Sequence, residues 1–461
     1  MFTGSYPKPD APWPYTYNPR ILEPILPYPT ATSHTSPPSL PTTRQARSLL
    51  HPEWTLSTHV VPAAYPRTTP LVPVPPIPAF AFGKDKKQRR EEIVALANEL
   101  AEAKLKQGKG ELKSLGRDQT ALWCCVNRYV RKRSGSGIPK GITLFFAHAN
   151  GFMKEIWEPT LLHLVNIMRE KGASYEVAEI WCFDGANHGD SAIVNEGKLS
   201  GIYDWQDNAR DLSNFLTNYL PHAPTSSDLP THLSRVSPSE SKRREEHGFA
   251  ERTLVGVGHS YGGCSIVWSA SHKLYSHLFD SIILVDPIIA GAIPYSAEHF
   301  AAYLNGMSVG ALSRRDTWSS REEALRLFQA SAFFQKWDPE VLKVYVEYGL
   351  RENPDGSVSL KTKSIQEAIT FAEQLSSIEA WYHLPNIDER IALKFIMPAG
   401  NGEPGDKAEE KQHLVWRRPV NCSNVLNPNA GHLIPHETPH QLAEDIHAFL
   451  QSKYPLLKNR L

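Results

Sequence analysis

Between Ala121 and Pro287 short apolar runs and amphipathic stretches take turns, and this alternation restricts the fold more than any other feature of the chain. "ALWCCVNRYV", "GITLFFAHANG", "EVAEIWCFD", "RTLVGVGHS" and "FDSIILVDP" read as strands, while "WEPTLLHLVNIMREKG", "YDWQDNARDLSNFLTNYL" and "GGCSIVWSASHKLY" read as helices. Runs this apolar cannot leave one face in water. An α/β architecture follows, with a mostly parallel central sheet flanked by helices. After Pro287 the alternation stops, and the text from about Tyr295 to Leu384 reads as helices with no convincing strand. "IALKFIMPAG", "NVLNPNAGH" and "ETPHQLAEDIHAFLQSK" then resume the sheet pattern. A helical block inserted between sheet strands predicts a cap over the C-terminal strand edge, where open α/β sheets bind ligands.

Two segments stand outside this pattern. About half of the 37 prolines fall in the first eighty residues, in runs such as "SYPKPDAPWPYTYNP", and a text so poor in N–H donors is expected to stay extended or disordered. One break, "EWTLSTHVVPA", is β-rich and reads as an edge strand that Pro62 ends. The stretch from Pro221 to Gly248 is polar, rich in Pro and Ser and without period, so it reads as a mobile surface insertion. The expected organisation is a proline-rich, disordered arm at 1–52, a first core part at 53–294 with a disordered insertion at 221–250, a helical cap at 295–385, and a last core part at 386–461.

Composition removes several function classes. Lys plus Arg and Asp plus Glu both number 49, so no overall field recruits nucleic acid or an anionic membrane, and the expected partner is a small molecule. No window reaches the roughly 18 uninterrupted apolar residues of an integral membrane span. The N-terminal text also lacks the basic and then apolar pattern of a secretory leader. The five cysteines are odd in number, scattered and mostly within apolar runs, which suits reduced thiols in an intracellular compartment.

Chemistry enters with "VGHSYGG". Gly258, His259, Ser260, Tyr261 and Gly262 satisfy G-x-S-x-G between an apolar strand and a helix, the setting in which a sharp turn presents a serine hydroxyl at the top of a sheet. Small residues two before and two after let strand and helix approach closely. A serine needs a general base and a group that orients it, and in this architecture the chain order is serine, acid, histidine. His432, in the loop between "NVLNP" and the last helix, has the right place for the base, with His436 and His440 expected to be exposed at the start of that helix. For the acid two positions stay open: Asp286 at the end of "SIILVDP", and Glu403 in the loop after "IALKFIMP". The helix start offers the backbone N–H of Tyr261 to developing negative charge, and the loop in "FFAHANGF" offers that of Asn150. Losing one such donor costs roughly 3 kcal/mol of transition-state stabilisation. His148 is expected to bond the loop backbone. The polar run "DGANHGDS" is expected to close a β-to-α junction; no second ligand cluster accompanies it, so no metal is expected.

Together "AHANGF", "FDGANHGDS", "GHSYGG", "ILVDP" and "NAGHLIPHETP" resemble the α/β-hydrolase superfamily. The wording is most like a fungal branch of peroxisomal lipase-like proteins, toxin-biosynthesis hydrolases and the acyl-CoA hydrolase of mycophenolic acid assembly. The resemblance runs from about Trp54 to Ser452, outside the insertion. It implies Ser260 as nucleophile, His432 as base and Asp286 as acid, with Glu403 in reserve, and Asn150 and Tyr261 as oxyanion donors. Ala149 departs from the glycine that many relatives carry after the histidine. The branch often ends in a peroxisomal tripeptide, and Asn459, Arg460 and Leu461 match it in the last two positions, so an import receptor is a possible partner and peroxisome and cytoplasm are the alternative locations.

The function expected from these readings is a serine hydrolase of the esterase, lipase or thioesterase kind. It would cleave a small hydrophobic ester or thioester, lipid-like or acyl-CoA, through an acyl-enzyme on Ser260, without cofactor. Trp318, Phe328, Phe333, Phe334, Trp337 and Tyr345 of the cap would line an apolar acyl site or pack the cap onto the core. The alternatives are a lactone or amide hydrolase of secondary metabolism, and a hydrolase fold that binds a hydrophobic ligand without turnover.

Overall fold

The structure, a computed structural model, describes residues 4–14, 16–27, 37–41, 52–78, 86–112, 121–132, 141–291, 306–373, 375–399 and 408–455. Its spine is an eight-stranded sheet in the order β1-β2-β4-β3-β5-β6-β10-β11. The strands are β1 Trp54–Pro62, β2 Trp123–Arg131, β3 Ile142–Ala147, β4 Val177–Phe183, β5 Thr253–His259, β6 Ser281–Val285, β10 Ala392–Pro398 and β11 Cys422–Asn427. β1 pairs β2, and β2 pairs β4, antiparallel. All other pairings are parallel. Every residue of β3, β4 and β6 is buried, as continuous apolar runs require.

Helices cover both faces. In chain order these are α1 Lys86–Gly108, α2 Glu158–Lys171, α3 Gly189–Val194, α4 Trp205–Asn214, α5 Pro238–His247 and α6 Tyr261–Ser271. Beyond β6 the cap contributes α7 Arg321–Gln329, α8 Pro339–Tyr348, α9 Ser364–Ala372 and α10 Leu375–His383. The last sheet strands are followed by α11 Ala408–Val415 and α12 Pro439–Lys453. α4 packs on α6 on one side of the sheet and α2 on α12 on the other. The cap also holds a small antiparallel sheet of β7 Thr317–Trp318, β9 Val358–Leu360 and β8 Leu350–Glu352. No strand is expected there from sequence, because pieces of two or three residues are too short to show a period of two.

The parallel register brings chemistry to one edge. Ala147 of β3 lies opposite Gly258 of β5, His259 opposite Val285 of β6, and Val285 opposite Ile396 of β10. The residues that follow these strand ends, His148 to Gly151, Ser260 and Asp286, therefore leave the sheet side by side.

The arm and the insertion differ from the expectation of disorder. At one sheet edge Leu426 of β11 donates to the carbonyl of Gly4, and the Tyr6 N–H donates to Asn424 Oδ1 at 2.6 Å. At the other, Val60 of β1 donates to Thr231 and accepts from Leu233, both in the insertion. Prolines supply no donors, but their segments keep carbonyls, and buried arginines of the core reach them. Arg210 of α4 donates to the carbonyls of Glu23, Pro24 and Pro66. Arg128 reaches Thr225 and Ser227, and Arg252 reaches Pro221. The insertion also forms α5, Ser237 capping its start, and Arg244 points inward to the carbonyls of Leu216, Thr217 and Leu220. Of the arm, 28–36 and 42–51 lie outside the described residues.

Candidate active site

The turn at Ser260 is forced by packing. Ser260 has φ 56° and ψ −120°, a left-handed conformation that costs a non-glycine residue about 1–3 kcal/mol. Its flanks must be glycine. A Cβ on Gly258 would lie 2.6 Å from Gly263 Cα, and one on Gly262 would lie 2.4 Å from the Ala147 carbonyl oxygen. Strand, helix and the loop after β3 thus converge at van der Waals distance around the serine. Backbone bonds hold the turn: Ser260 N–H donates to Val285, and Ile288 N–H donates to Ser260.

Asp286 takes the next strand end, also at positive φ (34°), its N–H bound to Ile396 of β10. His432 arrives from the loop after β11. Its Nδ1–H donates to Asp286 Oδ2 at 2.6 Å, and the Ser260 hydroxyl donates to Nε2 at 2.9 Å. The structure therefore joins the three residues proposed from sequence in one hydrogen-bonded chain. Glu403 lies outside the described residues, as do Asn459 to Leu461.

Two further residues belong to this arrangement. His259, one before the serine, is buried and held neutral: desolvation, reinforced by His432 and His436, depresses its pKa well below the ordinary value. Its Nε2–H donates to the His432 carbonyl at 2.8 Å, which fixes the loop that carries His432. His436, expected on the surface, is instead fully buried between Phe152 and Trp337, with ring centroids 4.2 and 4.5 Å away. It falls on a short helical turn, Ile434–Glu437, that faces the cap, where its carbonyl accepts the Asp338 N–H. His440 is exposed.

On the other side of Ser260 lies the loop His148 to Phe152. Its glycine requirement falls on Gly151, at φ 84°; Ala149 keeps negative φ and is buried, and Phe152 N–H closes the turn onto Ala149. His148 bonds the backbone, as expected: Nδ1–H donates to Ala149 and Nε2 accepts from Gly185. Burial pushes its pKa down to about 4. The Asn150 side chain donates to the Glu367 carbonyl of α9 and accepts from His188. Tyr261 is the first residue of α6, so its N–H has no partner one turn earlier in the helix and opens at the serine.

"DGANHGDS" closes the β4–α3 junction through charge. Lys154, fully buried, places Nζ 3.0 Å from Asp184, 2.6 Å from Asp190 and 2.9 Å from Glu155, and Lys361 of the cap adds a 2.7 Å contact to Asp190. Burial pushes Asp184 up to about 7 against the pull of Lys154. Asp190 is buried as well, but Lys154 and Lys361 outweigh desolvation and hold it below the usual carboxylate range. An ammonium fills the centre of this acidic cluster. Among the described residues no group of three or more His, Cys, Asp or Glu is placed to hold a metal ion.

The cap aromatics mainly pack on one another. Trp318, Phe328, Trp337 and Tyr345 are buried, Phe328 lies 4.4 Å from Phe334 and Trp337 5.4 Å from Tyr345, and Phe152 joins them to the core. Phe333 alone of the six is exposed. The four buried rings pack within the cap and, through Phe152, against the core.

Residues 144–445 match the alpha/beta hydrolase family. The fold, the strained serine turn and this match define the class: the chain belongs to the alpha/beta hydrolase family. Its relatives include a type I acyl-CoA thioesterase of Penicillium brevicompactum, 30% identical over 51% of this chain and 46% of the relative. A peroxisomal membrane protein of Saccharomyces cerevisiae is 25% identical over 50% of this chain and 54% of the relative. The chain spans about half the length of the curated relatives it matches. Among solved structures, a peroxisomal alpha-beta-hydrolase of Saccharomyces cerevisiae superposes with TM-score 0.58 at 18% identity, over 89% of this chain and 92% of the other, a likeness of fold. Among the described residues no helix is long and apolar enough to cross a membrane.

Proposed function

We propose that the protein is a serine hydrolase that cleaves a carboxylic ester or thioester through an acyl-enzyme on Ser260. The observation that carries this reading is the chain Ser260 Oγ, His432 Nε2, His432 Nδ1, Asp286 Oδ2, with links of 2.9 and 2.6 Å. Ser260 Oγ attacks the acyl carbon while its proton passes to His432 Nε2, and the carbonyl oxygen becomes an anion held by the N–H groups of Tyr261 and Asn150. The C–O or C–S bond then breaks, and the leaving alkoxide or thiolate takes the proton from Nε2. Water repeats the sequence on the acyl-enzyme, giving its proton to His432, and Ser260 recovers it when the acid departs. Asp286 holds the Nδ1–H throughout and stabilises the imidazolium without taking the proton.

The thioesterase name of the Penicillium relatives favours an acyl-CoA substrate. Turnover of p-nitrophenyl esters against acyl-CoA of matched chain length tests this. A larger kcat/KM for the thioester is expected, and the reverse preference would reassign the substrate class. For location we propose the peroxisome, on the peroxisomal description of the yeast relative. A fluorescent fusion ending in Asn459-Arg460-Leu461 should be punctate and become diffuse when the tripeptide is deleted; a diffuse intact fusion would place the protein in the cytoplasm.

A further inference from the structure

His188 is completely buried, and among the described residues its side chain makes one hydrogen bond, Nε2–H to Asn150 Oδ1 at 2.9 Å. The direction is fixed by the rest of the network, because the Asn150 amide nitrogen is spent on the Glu367 carbonyl at 3.1 Å and leaves its oxygen to accept. The other imidazole nitrogen, Nδ1, has no hydrogen-bond partner among the described residues. The ring stacks on Tyr261, with centroids 5.7 Å apart and planes at 29°, and sits 5.0 Å from His148. One side chain thus touches both residues proposed to bind the oxyanion and the histidine at the start of their loop.

Leaving a buried nitrogen unpaired is costly, and a phenyl ring could pack against Tyr261 and His148 without that cost. What phenyl cannot do is donate to Asn150. The loop would then lose one of its holds; it turns on Gly151, at φ 84°, where a Cβ would lie 2.8 Å from the Glu367 carboxyl carbon and no other residue fits.

We propose that His188 is a positioning residue for the oxyanion site: its bond to Asn150 and its stack on Tyr261 set the two backbone N–H groups in register across Ser260. This inference rests on the serine-hydrolase reading above. Misplacing one donor by about 1 Å can cost about a hundredfold in rate. Substrate binding in the ground state depends little on that donor, so the loss falls on kcat and leaves KM nearly unchanged.

The test compares His188→Phe, His188→Gln and Asn150→Ala in the full chain, with p-nitrophenyl butyrate as substrate, a trifluoromethyl ketone as probe of the oxyanion site, and fluorophosphonate titration to count active sites. His188→Phe should lower kcat per site about ten- to a hundredfold, weaken the ketone by the same factor and move KM by less than about twofold. His188→Gln, which keeps a donor, should recover most of the loss. Asn150→Ala removes the acceptor of the same bond together with the donor to Glu367, so its loss should be at least as large, and adding His188→Phe to it should cost little more. If His188→Phe does not fold, Asn150→Ala and His188→Gln decide the question. A merely structural role would lower the melting temperature and the number of sites while kcat per site stayed at the wild-type value, and that result overturns the proposal. Ser260→Ala separates the two levels: if it keeps wild-type turnover the serine reading itself fails, whereas a dead Ser260→Ala beside unimpaired His188→Phe and Asn150→Ala removes only the positioning role.

Discussion

The centre of the sheet and its two edges solve different problems. At the centre, β3, β5, β6 and β10 are parallel and apolar, and their aligned ends present Ser260 and Asp286 in strained backbone beside the 148–152 loop. At the edges, β1 and β11 would leave rows of unpaired N–H and C=O groups, and irregular chain covers them: the insertion at Val60, the arm at Asn424 and Leu426. The centre holds strain that surrounding packing enforces. The edges lean on buried arginines that donate to carbonyls of chain lacking its own ladder. A protein built this way should lose activity without stability when the centre is altered, and stability without site chemistry when the edges are.

Ser260→Ala and His432→Ala should each lower kcat on p-nitrophenyl butyrate by on the order of 10⁴-fold or more, with urea midpoints within experimental scatter of wild type. Asp286→Asn should cost about 10⁴-fold because the wrong imidazole tautomer is then favoured; Glu403→Gln should retain near wild-type rates, and the opposite pair of results would move the acid to the loop after β10.

At the edges, Arg244→Ala removes the donor to three carbonyls and should cost roughly 2–4 kcal/mol in urea unfolding, while kcat per fluorophosphonate-titrated site is unchanged. Arg210→Ala should behave alike. Deleting residues 1–26 should promote concentration-dependent association, read by light scattering, because β11 loses its cover. A fall in kcat per site for Arg244→Ala would break the comparison.

The pH dependence of stability is graded and smaller per residue. Burial lowers His59 and His148 to about 4 and His436 to about 3. Unfolded, each would titrate near 6.5, so between about 6.5 and 4 the unfolded chain binds more protons than the folded one. Their stabilising share is intact above 6.5 and is lost as pH falls through this window, with a slope of up to roughly 1.4 kcal/mol per pH unit for each histidine. Asp184, raised to about 7, runs the other way over the same window, so the histidine share is read by difference: His436→Phe should melt higher than wild type at pH 4.5, a flatter curve, with little change at pH 7.5. An unchanged slope would mean that His436 titrates alike in both states.

What was legible in the sequence follows the same division. Continuous apolar strands and a G-x-S-x-G turn are local signals, and chain order was enough to place His432 after the last strand; those elements lie where they were expected. The arm and insertion are not legible, because their order comes from distant donors, Arg210 lying 187 and 186 residues from Glu23 and Pro24, and composition shows only the missing ladder. His436 was misplaced for a related reason: two residues after an apolar leucine-isoleucine pair it faces the cap, a partner that helix periodicity alone does not reveal. His188 lies in a loop whose text shows only polarity, and the role proposed for it rests on one hydrogen bond across 38 positions.

Ser260 is proposed as the nucleophile and His432 as the base that makes it reactive. Peptide mass mapping of the protein after reaction with a fluorophosphonate tests it most directly. A single adduct on Ser260 is expected in the wild type, absent in Ser260→Ala and formed at least about a hundred times more slowly in His432→Ala. An adduct on another residue, or no adduct on folded wild-type protein, would contradict it.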